Sequence, residues 1–99
     1  MTSVKKIKLD AAQKKAVAQL SDVRAYRKIS APNQSVFWSH FGVTQSGGSR
    51  YESGRGIPNA TRILMALYAM GAVSNDDMAR AQAVAAKVAE TYRTEASEE

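Results

Sequence analysis

An all-α fold of five to six short helices is what this 99-residue sequence predicts, on three observations. Apolar residues recur at three- and four-residue intervals. No four-residue run alternates apolar and polar with the β-branched enrichment of a strand. The apolar segments are bracketed by side chains that start helices and by Gly or Pro that stop them. A chain of this length supports one modest core, so a single domain with short tails is expected.

The elements follow in order. Asp10 can cap a first helix running to about Leu20, with Ala12, Ala16, Val17 and Leu20 on one face. Asp22 can cap a second, ending near Ile29, because Ser30, Ala31 and Pro32 follow and Pro disfavours helical conformation in the residue before it. Asn33 caps a third helix, in which Val36, Phe37 and Phe41 form a core-facing stripe and Gly42 is the stop. Thr44 caps a fourth, from Gln45 to Ser53, ended by Gly54. After Arg55, Gly56, Ile57 and Pro58, Asn59 caps a fifth carrying Ile63, Leu64, Leu67 and Met70, with Gly71 as its end. Ser74 and Asp77 have capping-box spacing for a last helix that reaches about Arg93. The domain is therefore expected over residues 9–93, between a disordered basic segment, 1–8, and a disordered acidic tail, 94–99.

Composition narrows the function. Cysteine is absent, which excludes disulfides and thiolate chemistry. There is neither an eighteen-residue apolar run nor a basic start followed by an apolar h-region, so no membrane span or secretory signal is expected, and the expected location is the cytoplasm, at the nucleoid. The net charge of +5 is unevenly spread. Residues 1–30 carry eight Lys or Arg against two Asp, residues 31–70 three Arg against Glu52, and residues 71–99 three basic against six acidic side chains. Clustered cations favour a phosphate backbone through counterion release, although a solvated lysine-rich face has the same composition.

The informative stretch runs from Asn33 to Gly54: two short helices joined through Gly42, Val43 and Thr44, with Gln34 opening the first, Gln45 opening the second, and Ser49-Arg-Tyr-Glu-Ser-Gly54 closing it. Together with Pro58 downstream, this resembles the helix-turn-helix of the XRE family, the Cro and lambdoid-repressor type, over about residues 22–70. The resemblance implies a lambda-repressor-like DNA-binding fold whose second helix enters the major groove while the first lies across the backbone. By position, Gln45, Ser46 and Arg50 become base readers. Their chemistry suits the role, since a Gln amide can bond adenine N6 and N7, Arg can fork onto guanine O6 and N7, and Ser serves either way. Gly47 would let backbone or a thymine methyl approach. Gln34 resembles a phosphate contact that also braces Gln45, and Arg55 and Asn59 resemble phosphate contacts beside a helix N-terminus. An ordinary solvated helix face is the plain alternative for these polar groups, and for Asn33 the cap is the preferred role.

The resemblance also implies that Glu52 pairs internally with Arg27, as a forked, partly buried ion pair that fixes the second helix to its scaffold. The chain departs from the family where most members carry Ala and it has Trp38, and where they carry Ile or Val and it has Gly48. A volume exchange is expected, with the indole filling the space of the missing branched side chain. Two adjacent glycines should still weaken that helix by roughly 1 to 2 kcal/mol. His40, with no Cys or carboxylate cluster near it, is expected to be a surface or half-buried residue, and the glycine-rich stretch lacks the Gly-Lys-Ser of a Walker loop.

In the last helix Met78, Ala81, Ala85, Val88 and Tyr92 form a narrow seam at alternating three- and four-residue spacing, suited to a homodimer on an inverted-repeat operator or to packing on the chain's own domain. Asn75-Asp-Asp-Met-Ala-Arg80 faintly resembles the tail of the lambda lysogeny activator, a tetramer, which leaves higher assembly open. Lys5, Lys6, Lys8, Lys14 and Lys15 are candidates to follow the DNA backbone. The expected function is sequence-specific binding of double-stranded DNA and transcriptional regulation, by repression. The rival is an antitoxin or interaction protein whose last helix binds a protein partner, with DNA binding for autoregulation. No triad, metal cluster or paired carboxylates point to catalysis, and no cofactor is expected.

Overall fold

A computed structural model describes residues 8–31 and 33–98, with side chains described as far as Tyr92. Six helices succeed one another: α1 (Ala11–Leu20), α2 (Val23–Ser30), α3 (Gln34–Ser39), α4 (Gln45–Glu52), α5 (Asn59–Ala69) and α6 (Asn75–Glu98). Among the described residues there is no strand, so the fold is all-α, as the periodicity predicts. The first eight residues, and with them Lys5 and Lys6, fall almost wholly outside the described residues; α6 continues to Glu98, beyond the Arg93 that the sequence pattern marks.

Local chemistry sets the helix starts. The Asp10 carboxylate accepts from the Gln13 amide at 2.8 Å while Gln13 Oε1 accepts from the Asp10 amide at 2.8 Å, a reciprocal box that satisfies two otherwise open donors. Asp22, Asn33 and Thr44 accept from the amides of Ala25, Val36 and Gly47. Ser74 and Asp77 form the second box, at 2.8 and 3.1 Å. Ala31, held extended at φ −156° before Pro32, ends α2. Asn59 is a correction: the cap position belongs to Pro58, which has no side-chain acceptor, and Asn59 is the first helical residue, its Oδ1 accepting from Arg62 at 3.3 Å.

The core gathers Val23, Tyr26, Phe37, Trp38, Phe41, Met65 and Met78, flanked by Leu20, Val43, Tyr51, Leu64 and Tyr68. α2 packs on α1, α3 and α4, α3 on α4, and α1 on α5. Three expected stripes sit off register. In α3 the fully buried Trp38 shares the inner arc with Phe37, joined by Phe41 from the turn that follows, and at about 100° per residue this leaves Val36 on the far side, half exposed. In α5 the inward residues are Leu64, Met65 and Tyr68, so Ile63 and Leu67 face outward. In α1 Ala16 is buried, whereas Val17 and Ala12 are exposed.

Candidate nucleic-acid interface

Helix α4 is positioned by a turn and a weld. The turn is Gly42, whose φ of +69° reverses the chain after α3 at no steric penalty from a Cβ; Val43 then donates to the Trp38 carbonyl at 3.0 Å. The weld is Trp38. Its ring is wholly buried, stands 5.5 Å from the Tyr51 ring, and lies so close to Gly48 that an added Cβ there would overlap Cδ1 and Cγ and come within 2.6 Å of Nε1. The expected exchange of volume between Trp38 and Gly48 is thus present.

The expected Arg27–Glu52 pair is present too. Arg27 Nε donates to one carboxylate oxygen at 3.1 Å and Nη2 to the other at 3.0 Å, with only 11 % of the Arg27 side chain and 4 % of the Glu52 side chain exposed. Trp38 Nε1 donates to the same carboxylate at 2.7 Å, which sequence reasoning missed. The indole both fills the space over Gly48 and supplies a donor, so one residue ties α3 to α4 in two ways. Burial works against the charge on Glu52, but hydrogen bonds from Arg27, Trp38 and Gln34 outweigh it and hold the carboxyl below its ordinary range. Gln34, expected to brace Gln45, therefore supports Glu52 from its half-buried site at the start of α3.

With Gly48 turned inward, Tyr51 half buried and the Glu52 side chain buried, α4 shows solvent one unbroken polar face of Gln45, Ser46, Ser49 and Arg50, all exposed and continued by the exposed Ser53 just past its end. The three expected base readers share that face. Ser49 belongs to it as well; its position one turn after Gln45 was the available signal. Gly47 does not. A Cβ on it would point back to Val43 Cγ1 at 3.2 Å and Thr44 Oγ1 at 3.3 Å, so this glycine faces the turn. Arg55 and Asn59 are exposed beyond the end of α4, after Gly54 at φ +113°. Lys8, Lys14 and Lys15 are exposed in and just before α1, a helix that does not touch α4.

His40 is half buried, with Nδ1 3.0 Å from the Val36 carbonyl and its ring beside Phe41 and Tyr68. Among the described residues no group of His, Cys, Asp and Glu is arranged to hold a metal ion, and no helix is long and apolar enough to cross a membrane.

Helix α6 is fastened at its start. Met78 is buried, and Gln82 Nε2 donates to the Ser39 and His40 carbonyls at 2.7 and 2.8 Å, closing the end of α3. From Ala79 to Tyr92 every residue is exposed, Val84, Val88 and Tyr92 included.

Two helices joined by a tight glycine turn, the second presenting a polar face and pinned by a buried ion pair, define a helix-turn-helix domain. Residues 24–68 match the family model described as an RsaL-like HTH domain. No curated protein and no solved structure matches the chain. A helix-turn-helix domain points to DNA as the partner and to transcription regulation as the role, and it is not typically an enzyme.

Proposed function

We propose that the chain is a sequence-specific repressor that binds double-stranded DNA by inserting α4 in the major groove, in the manner of the XRE, Cro and lambdoid-repressor type. The observation that carries this reading is the polar face of α4: its four exposed residues, Gln45, Ser46, Ser49 and Arg50, sit on a helix whose opposite side is locked by Trp38, Gly48 and the Arg27–Glu52 pair. A reading helix needs both properties, because bidentate bonds to base edges discriminate only if the side chains are held in register. Gln45, Ser46 and Arg50 read bases; Arg55, Asn59 and Gln34 contact phosphates and set the orientation. Gln34 does so while holding Glu52.

Two copies pair through α6 on an inverted-repeat operator. The reading is supported by the exposed apolar positions Val84, Val88 and Tyr92 beyond the part of α6 that touches its own domain. The same surface would serve a protein partner in an antitoxin. The DNA reading is tested by selection from random duplexes with the full chain. Enrichment of a two-fold symmetric site with half-sites about one helical turn, roughly 34 to 36 Å, apart is the expected result. Retention of all duplexes alike would refute it.

A further inference from the structure

Beside α4, between it and α2, lies an open groove of about 160 Å³ lined by Arg24, Arg27, Gln34, Ser49, Glu52 and Ser53. Its lining residues are all polar or charged. Within it the Arg27 and Glu52 charges offset each other, and the Trp38 N–H further engages the carboxylate. Arg24 is also a wall of an adjoining groove of about 340 Å³ with Asp22, Ala25 and Lys28. The Asp22 carboxylate accepts from the Ala25 amide as the cap of α2. Helix α2 thus sorts its cations: Arg27 turns inward to Glu52, while Arg24 and Lys28, one turn apart, stay exposed.

We propose that Arg24 is a phosphate anchor: when α4 lies in the major groove, the strand running along its α2 side places one backbone phosphate in this groove, against the Arg24 guanidinium and the exposed Ser49 hydroxyl. The inference rests on the DNA-binding reading above and adds to it a residue on a different helix. Three features argue for a phosphate rather than a base. Arg24 belongs to the helix alongside the reader, where the flanking backbone passes, not to the reader itself. A guanidinium offers a planar fork of N–H donors that matches two phosphate oxygens. The walls are polar almost throughout, with little apolar surface for a base or a thymine methyl to stack on. Ser49 then belongs to both surfaces, reaching toward the groove from the exposed face of α4. The exposed lysines of α1 lack this placement, because that helix does not touch α4.

The test uses the full chain, its selected duplex, and the variants Arg24→Ala and Arg24→Lys, with affinity measured across a salt series and phosphate contacts mapped by ethylation interference. For Arg24→Ala the log-log salt slope should become shallower by about 0.9 for each chain bound to a half-site. Binding should weaken by the same factor on selected and scrambled duplexes, and interference at one phosphate per half-site should vanish while all others remain. Thermal unfolding should be unchanged, since Arg24 is exposed. Arg24→Lys should keep the slope but bind more weakly, having lost the fork. An Arg24→Ala protein that binds with the wild-type slope and full interference pattern would overturn the anchor and leave the DNA reading intact, and so would one whose base preference changes. If the wild-type chain selects no duplex, the DNA reading falls and the anchor with it.

Discussion

The α3–α4 junction and helix α6 solve opposite problems with the same α-helical material. At the junction, two helices of six and eight residues, too short to be stable alone, are held by Phe37, Trp38 and Phe41, by Tyr51, and by the buried ion pair. Helix α6 is 24 residues long, begins with a capping box, is rich in Ala, and among its described side chains buries little beyond Met78. Good helix formers and a capped start let it persist without packing along its length. The junction therefore fixes a surface in space, whereas α6 leaves its described side chains from Ala79 to Tyr92 exposed.

The largest effects should come from breaking the junction. Trp38→Ala should cost about 3 to 5 kcal/mol in denaturant unfolding. Gly48→Val should cost a similar amount by overpacking, since even a Cβ does not fit. The double variant should be more stable than the sum of the two losses implies, because the new side chain enters the vacated space; strict additivity would contradict the exchange of volume.

Next comes the ion pair. Arg27→Ala should cost about 3 kcal/mol, as it strands the Glu52 carboxylate. The pH dependence has a fixed sign. With its folded-state pKa depressed despite burial, Glu52 contributes stability that is complete above the ordinary carboxylate range and is lost as the pH falls through its folded value. Unfolding followed down an acid titration should show that loss, and Glu52→Gln should flatten it. An unchanged titration would show that the pair is not what stabilises the junction at neutral pH.

The adjacent glycines differ in what surrounds them, and smaller effects follow. Gly47→Ala should stabilise by something under about 1 kcal/mol, the helix-propensity gain less mild crowding on Val43 and Thr44. Smallest of all, Val88→Asp should change unfolding of the dilute chain by less than about 0.5 kcal/mol, since Val88 is exposed. In sedimentation at high concentration the same variant should stay monomeric where the wild type pairs. A wild-type chain that is monomeric throughout would remove α6 as the dimer surface.

What the sequence made legible follows the range of the forces involved. Caps are local, and Asp10, Asp22, Asn33, Thr44 and Ser74 were readable within four residues of chain. Asn59 misled because the residue before it, Pro58, already occupied the cap. Stripes are less local: Trp38 looked like a replacement for a small residue, yet its bulk sets the inner arc of α3 and turns Val36 outward. The Arg27–Glu52 pair could be anticipated only through the family resemblance, since 25 residues separate the partners. The indole bond to Glu52, the role of Gln34 beneath it and the groove at Arg24 depend on three helices converging, and no spacing in the chain encodes that.

If α4 reads base edges through its outward face, Arg50 is the side chain that tests it most directly. Duplexes selected by the wild type and by Arg50→Ala should differ at one base position in each half-site, with preference for guanine relaxed there by a factor equivalent to about 1 to 3 kcal/mol and all other positions unchanged. Identical sites chosen with equal discrimination by the two proteins would contradict it.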